Sequence, residues 1–271
     1  MRGRSGAGSG RTLVVGVVAG LLLGAGLWLL LRSLPAAVDP TWQRIVETGV
    51  LRVCTDPSWP PFEFVIEEGG EVQGFDIELA GLLAARLAPG IQAQIVPVGF
   101  DGLYDALLSG RCDAVLSALP YEPMRTQDVA YSLAYFNAGL VLVVRAGSDE
   151  IETVDDLRGR AVGVEWGFVP EGNSRQRLLL QNLGLRRYDT PLDALRALQA
   201  GEVEAALVDR ITALTYLHGC QGLQIVGEPL TDVSYSIPVR PDSFKLLEEI
   251  NRVLLEMRQD GTLERLQEKW F

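Results

Sequence analysis

The sequence lacks most of the residues from which metal centres and nucleophilic catalysts are built. Its 271 residues include one histidine, His218, and three cysteines, Cys54, Cys112 and Cys220, with no CxxC pair. Zinc sites need closely spaced Cys and His ligands, and a Ser-His-Asp triad on an α/β sheet normally comes with a GxSxG motif, which is absent. A GxGxxG motif after a strand and the Walker phosphate loop are absent too. We therefore expect no metal, no cofactor and no catalytic residue. Cys54 stands in an apolar strand, which is typical of a buried thiol; whether any of the cysteines pair is left open.

Basic residues are scarce relative to acidic ones. The formal net charge is −11, and residues 1–38 hold four arginines and no acid, so the remaining residues carry −15. A surface this acidic argues against nucleic acid or anionic lipid as a partner. It does not make the ligand cationic, because most of these charges belong to a solvated face.

One long uncharged apolar run lies near the amino end. As an α-helix, residues 12–31 would be roughly 30 Å long, which is about the thickness of the hydrocarbon core of a bilayer. Signal-peptide cores are shorter, so we expect a membrane anchor, with a cleaved signal as the alternative. Arg2, Arg4 and Arg11 precede the run and Arg32 follows it. This asymmetry predicts a cytoplasmic tail at 1–11, a linker at 32–44 and an exported remainder.

Strand and helix patterns alternate from Leu51 onward, which indicates an α/β fold with mostly parallel strands. The predicted strands are 51–55, 91–98, 113–117, 140–145, 160–164 and 204–208. The predicted helices are 76–87, 101–110, 174–183 and 190–201.

A short motif recurs in the two halves of the chain. ALLSGRCDA at 106–114 aligns with ALQAGEVEA at 197–205, and each reads as a helix, a glycine stop and a strand that opens with an acid and Ala. This repeat predicts two lobes that share one helix–strand unit. Ligands in such sheets gather beyond the carboxyl ends of strands. Those ends are Asp56, Ser117, Glu165 and Asp209, so we expect them to face a cleft.

Several residues near these strand ends have chemistry suited to a small polar ligand. The guanidinium of Arg125 fits a carboxylate, although the residue also reads as a surface arginine beside Glu122. Asp209 ends an apolar strand, where a carboxylate needs a partner: a ligand ammonium, the neighbouring Arg210 or a helix amino end. Trp59, in the proline-stiffened stretch TDPSWPPFEF, and Phe100 are suited to enclosing a side chain; the alternative is that both are core aromatics.

Six motifs in order resemble the polar amino-acid-binding family of extracellular solute-binding proteins, the substrate-capture subunits of ABC importers. They span nearly all of residues 48–271: LRVCTDPSWPPFEF, GFDIELAGLLAARL, VGFDGLYDALLSGRCDAVLSALPYEPMR, DLRGRAVGVEWG, LQAGEVEAALVD and DGTLERLQEKWF. The resemblance implies a two-lobe periplasmic-binding-protein fold with two crossover strands as hinge. Lobe 1 would comprise 45–138 with 236–271 and lobe 2 would comprise 139–235, with hinges near 136–140 and 233–236.

The resemblance also implies roles for individual residues. Arg125 would clamp the α-carboxylate of an amino acid, and Asp209 would bind its ammonium group. The remaining assignments are the aromatic pair Trp59 and Phe100, the strand end at Ser117 and Ala118, and the backbone N–H groups from Gly167 to Val169.

Four positions depart from the family pattern. Pro120 replaces a Ser or Thr that helps hold the ammonium, Phe168 and Val169 replace a Thr pair, and Trp59 replaces Tyr or Phe. The amino-acid class of ligand is retained, while the identity of the amino acid is left open. Asp56 and Glu165 add two carboxylates, which favours arginine, lysine, histidine or glutamine over acidic amino acids. Alternatively, Asp56 only caps its loop and Glu165 points to solvent.

We therefore expect a binding protein and not an enzyme. It would capture a free amino acid for ABC permease subunits, as a monomeric soluble part at the outer face of the cytoplasmic membrane or in the periplasm. Two alternatives remain: an enzyme on the same fold similar to the cyclohexadienyl dehydratases, with Glu165 or Asp56 as acid or base, and a ligand-sensing domain.

Overall fold

The computed structural model describes residues 38–67, 69–167 and 183–271. The predicted anchor or signal segment at 12–31, the predicted helix at 174–183 and the site residue Val169 lie outside these ranges. Within the described ranges, no helix combines the length and apolar character needed to cross a bilayer.

The described helices and strands alternate along the chain, as the sequence predicts. In chain order they are α1 (Pro40–Thr48), β1 (Val50–Thr55), β2 (Ser58–Trp59), β3 (Glu63–Phe64), α2 (Phe75–Leu87), β4 (Gln92–Pro97), α3 (Leu103–Leu108), β5 (Ala114–Val115), β6 (Ala130–Tyr131), β7 (Phe136–Asn137), β8 (Leu140–Arg145), β9 (Ala161–Glu165), β10 (Gly184–Tyr188), α4 (Pro191–Ala200), β11 (Ala205–Asp209), α5 (Arg210–Gly219), β12 (Leu223–Val226), β13 (Ser234–Tyr235), β14 (Pro238–Val239), α6 (Phe244–Gln259) and α7 (Thr262–Trp270). Short 3₁₀ turns lie at Phe100–Gly102, Pro123–Arg125 and Val154–Leu157.

These strands form two five-stranded sheets joined by a narrow ribbon. The first sheet has the order β4-β1-β5-β14-β6 and the second has the order β10-β9-β11-β8-β12. In the first sheet β4, β1 and β5 run parallel, and β14 runs antiparallel to β5. In the second sheet β10, β9 and β11 run parallel, and β8 runs antiparallel to β11. β7 and β13 pair antiparallel between the sheets, with Phe136 opposite Tyr235 and Asn137 opposite Ser234. The fold is therefore mixed α/β with two lobes.

The repeated motif occupies equivalent places in the two sheets. Ala114 pairs with Val53 in the first sheet, and Ala205 pairs with Val162 in the second, both in parallel register. The acid before each alanine bonds the strand beside it. Asp113 is fully buried and accepts from the backbone N–H of Arg52 at 2.9 Å. Glu204 accepts from the backbone N–H of Ala161 at 3.1 Å.

Arginines neutralise both of these acids. Asp113 receives the guanidinium groups of Arg44 and Arg52, the latter at 2.7 Å, and Arg240 lies 3.8 Å away. Glu204 pairs with the guanidinium of Arg160 at 3.0 Å. Each acid thus joins two parallel strands near their amino ends, and the carboxyl ends of those strands come together at the opposite edge.

The first sheet contains a disulfide. Cys54 and Cys112 are bonded with their Cα atoms 5.7 Å apart, and Cys220 is free. The interpretation of Cys54 as a buried thiol was therefore wrong. Parallel pairing of β1 with β5 sets Cys54 opposite Val115, and Cys112, two residues before β5, lies close enough to bond to it. Both are fully buried against Leu103 and Leu107 of α3.

Removing this bond should destabilise the protein. The sequence separation is 58 residues, and freeing a loop of that size raises the entropy of the unfolded chain. We expect Cys54→Ala with Cys112→Ala to lower the free energy of unfolding by about 2–4 kcal/mol. Urea denaturation measures this. Cys220→Ala is the matched control and should leave the midpoint unchanged. Equal unfolding free energies for the double variant and wild type would show that the bond does not stabilise the fold.

Candidate functional site

A cavity of about 300 Å³ lies beyond the carboxyl ends of β1 and β5. Five of the predicted site residues line it: Asp56, Trp59, Phe100, Ser117 and Ala118. The other lining residues are Ser58, Glu63 and Tyr235. The structure therefore brings together the predicted site residues of the first sheet.

Two of the aromatic residues that line the cavity face solvent. Trp59 and Phe100 are each 55% exposed, so they are not the core aromatics of the alternative interpretation. Trp59 lies on β2, opposite Glu63 of β3 in a two-stranded hairpin, and Phe100 begins a 3₁₀ turn after β4. Two indole- and phenyl-sized faces without a covering layer are suited to enclosing a ligand.

Asp56 connects two of the loops that form the cavity. Its backbone N–H donates to Ser117 Oγ at 2.9 Å, and its Oδ2 accepts from the backbone N–H of Phe100 at 3.0 Å. The carboxylate therefore fixes Phe100 relative to the end of β1. Asp56 does cap a loop, but the loop is that of Phe100 and not its own.

Ser117 and Ala118 are held in an uncommon conformation. Ala118 has φ of 44°, which for a residue with a Cβ is the sparsely populated left-handed region. Its backbone N–H donates to Asp76 Oδ2 at 2.8 Å, and Ser117 Oγ donates to Glu63 Oε1 at 3.0 Å. Backbone strain of this kind persists only where the surroundings fix it, and here two buried carboxyl groups do so.

These two carboxyl groups, Glu63 and Asp76, were missed by the sequence analysis. Both are buried, and Glu63 Oε2 and Asp76 Oδ1 have no hydrogen-bond partner among the described residues. Burial, reinforced by the charge of Asp76, raises the pKa of Glu63 to about 10, so this side chain is protonated at neutral pH. Burial also raises the pKa of Asp76, against the opposing effect of hydrogen bonds from Ala118 and Tyr135. The position of Glu63 between two phenylalanines in the stretch PFEF was the sequence feature that could have indicated a buried acid.

Arg125 does not line the cavity. It ends the 3₁₀ turn at Pro123–Arg125, is 44% exposed at its side chain, and its Nε lies 3.2 Å from Glu122 Oε2. Its guanidinium carbon sits 4.1 Å from the centre of the Tyr104 ring. This pairing matches the alternative interpretation of a surface arginine beside Glu122, and its role toward a ligand remains a prediction.

The predicted residues of the second sheet lie at strand ends outside the cavity. Asp209 ends β11 and caps α5, where its Oδ1 accepts from the backbone N–H of Thr212 at 2.8 Å. Its charge, after burial and the charge of Asp76, contributes to raising the pKa of Tyr235 to about 12. Glu165 ends β9 and is exposed, and Gly167 follows it with φ of 86°.

Residues 51–271 match the family model described as bacterial extracellular solute-binding proteins, family 3. The chain belongs to this family. It is a family-3 amino-acid solute-binding protein, and the family is extracellular or periplasmic. The residues matched by the family model include both sheets and the ribbon between them, so the cavity lies within the matched part of the chain.

Individual relatives extend this result. The L-cystine-binding protein TcyJ of Escherichia coli (strain K12) is 32% identical, over 97% of this chain and 96% of its own. A solved ancestral cationic amino acid solute binding protein is 32% identical with a TM-score of 0.59, covering 85% of this chain and 99% of that one. An ancestral cyclohexadienyl dehydratase is 26% identical with a TM-score of 0.74, covering 88% and 98%. The solute-binding fold is thus shared with both binding proteins and an enzyme.

Proposed function

We propose that this family-3 protein captures a free amino acid between its two lobes and delivers it to the permease subunits of an ABC importer. The observation that carries the proposal is the cavity at the strand ends of the first sheet, with Trp59 and Phe100 exposed on its walls. The relatives named above are a cystine-binding protein and a cationic amino-acid-binding protein, which supports an amino-acid ligand. The protein would act at the outer face of the cytoplasmic membrane or in the periplasm.

The carboxylate of the ligand would bind Arg125. The ion pair between Arg125 and Glu122 is about half exposed on both sides, so exchanging Glu122 for a ligand carboxylate costs little. Tyr104 lies under the guanidinium and keeps the plane of the fork oriented during the exchange. The ligand also offers two oxygens to a planar donor fork, which makes a stronger contact than the single Nε contact to Glu122.

The ammonium group would bind at the second lobe. Asp209 uses Oδ1 to cap α5, and an aspartate carboxylate has further acceptor positions for an ammonium donor. The backbone N–H groups at Gly167 and Val169 would complete the carboxylate site. An amino acid that contacts Arg125 and Asp209 at once would bridge the lobes, which we place at 45–138 with 236–271 and at 139–235.

The enzyme alternative rests on the ancestral cyclohexadienyl dehydratase among the structural neighbours. In that function Glu165 or Asp56 would act as acid or base. Asp56 Oδ2 already accepts from the Phe100 backbone, which suits a positioning role better than proton transfer. Incubation with prephenate and arogenate tests it: release of a dehydrated product would replace the binding function with the enzymatic one.

We expect Arg125→Ala to weaken amino-acid binding by about 2–5 kcal/mol, because the ligand loses one side of a charge-assisted contact. Isothermal titration calorimetry measures the affinity, and the melting temperature without ligand should not change. Arg196→Ala is the matched control, since Arg196 also pairs with an acid three residues before it, Asp193, on the surface of the second lobe. Wild-type affinity in Arg125→Ala would refute the carboxylate assignment.

We expect arginine, lysine, histidine or glutamine to bind more tightly than glutamate or aspartate. Asp56 lines the cavity and Glu165 is exposed at the facing strand end, so an acidic side chain meets like charge while a cationic one gains ion pairing and stacking on Trp59. Competition of arginine, glutamine and glutamate for one labelled amino acid ranks them. A preference for glutamate contradicts this assignment.

We expect the lobes to close on binding, with hinges near 136–140 and 233–236, where β7 and β13 form the connecting ribbon. A ligand shifts this equilibrium because its contacts to both lobes exist only in the closed form. Small-angle X-ray scattering with and without saturating ligand should show a smaller radius of gyration in the complex. An unchanged radius in a sample that binds by calorimetry would mean that binding does not close the lobes.

A further inference from the structure

Two buried acids, Glu63 on β3 and Asp76 in the first turn of α2, meet at the floor of the cavity. Among the described residues, neither forms a salt bridge with an arginine, lysine or histidine. The groups that face them are Asp56, whose charge raises the pKa of Glu63 further, and the phenols of Tyr135 and Tyr235. Two negative charges at this place would have no cation to offset their burial.

The hydrogen bonds show which atoms are left for a shared proton. Ser117 Oγ donates to Glu63 Oε1, and the Ala118 N–H and the Tyr135 hydroxyl donate to Asp76 Oδ2 at 2.8 and 2.9 Å. Glu63 Oε2 and Asp76 Oδ1 receive no donor from other described residues. Each acid nevertheless acts on the pKa of the other, and two buried carboxyl oxygens that lack other donors can satisfy each other only through a proton.

We propose that Glu63 and Asp76 share one proton, and that this acid pair is the positioning element that fixes Ser117 and Ala118 at the amino-acid site. The positioning role rests on the proposed function, because Ser117 and Ala118 need to be fixed only if they contact an amino-acid ligand. Each member holds one of the two residues: Glu63 accepts the Ser117 hydroxyl and Asp76 accepts the Ala118 amide. The bridge between the members keeps both acceptors in register, and the left-handed Ala118 is maintained through it.

The same arrangement makes folding take up a proton. In the unfolded chain Glu63 has its ordinary pKa and is ionised at neutral pH, whereas in the folded protein burial raises the pKa to about 10. The stabilisation is therefore complete below the ordinary pKa of a glutamate and is lost as pH rises toward the folded value. One proton taken up on folding changes the unfolding equilibrium constant by about tenfold per pH unit.

Glu63→Gln tests the shared proton without ligand. Its amide N–H replaces the proton toward Asp76, and its carbonyl oxygen still accepts from Ser117, but the group no longer titrates. From about pH 6 to pH 9, the unfolding constant of wild type should rise relative to that of Glu63→Gln by up to about tenfold per pH unit. Urea denaturation at each pH measures it, and Glu71→Gln, an exposed carboxylate, should follow wild type. Parallel pH profiles for wild type and Glu63→Gln would overturn proton sharing.

Affinity for L-arginine tests the positioning role. Glu63→Gln keeps both hydrogen bonds and should bind within about twofold of wild type, while Glu63→Leu removes the acceptor of Ser117 and should raise Kd by about tenfold or more. Equal losses in the two variants would overturn positioning by a proton-sharing pair, and so would unchanged binding in Glu63→Leu. If Glu63→Leu fails to fold, the affinity and pH profile of Glu63→Gln still decide.

The proposed function and this inference fail in different ways. If wild type binds none of the twenty amino acids, the proposed function and the positioning role are refuted together, but the pH profiles without ligand still decide whether the proton is shared. If wild type binds and the Glu63 variants contradict the expectation, the proposed function stands and the inference alone is refuted.

Discussion

The arrangement of the site depends on one buried acid that is paired with arginines at the far edge of the first sheet. The carboxylate of Asp113 is fully buried and accepts from the backbone and guanidinium of Arg52. A buried carboxylate is tolerated only with such partners, so β5 is held to β1 in a single register. That register brings the two strand ends together, so that the backbone N–H of Asp56 donates to Ser117 Oγ at 2.9 Å. Glu204 makes the equivalent bond to Ala161 in the second sheet, and it fixes the register of the facing strand ends in the same way.

The first lobe therefore deals with buried acids in two opposite ways. Around Asp113, arginines supply the compensating charge. Around Glu63 and Asp76, the described residues supply no cation, and burial favours the neutral form of one partner. The first arrangement is an ion-paired joint between two strands. The second places one negative charge instead of two beside a cavity whose wall already carries Asp56, which limits the negative charge that a ligand carboxylate would meet.

The sequence predicted features that depend on local pattern and missed those that depend on long-range pairing. Apolar runs that end in Asp56 and Ser117 located the cavity, because strand ends follow from hydrophobicity and turn residues alone. The disulfide between Cys54 and Cys112 was missed because it requires that β1 and β5 be neighbours in the sheet, although three strands and two helices lie between them in the chain. The role of Glu63 was hidden for the same reason: its partner Asp76 belongs to another element, and an acid in a loop reads as exposed. The pairing of Arg125 with Glu122 was visible in the spacing, whereas its role toward a ligand depends on a complex.

The place of β14 in the first sheet has a consequence for the order in which the two sheets can be completed. The five strands of the second sheet are consecutive, from Leu140 to Val226, so that sheet needs no later part of the chain. The first sheet does, because β14 lies between β5 and β6 and follows them by more than a hundred residues. Until Pro238 and Val239 insert, the neighbouring edges of β5 and β6 remain unpaired. Unpaired edges are sites of misassembly, so the first lobe is exposed to this hazard until β14 is in place.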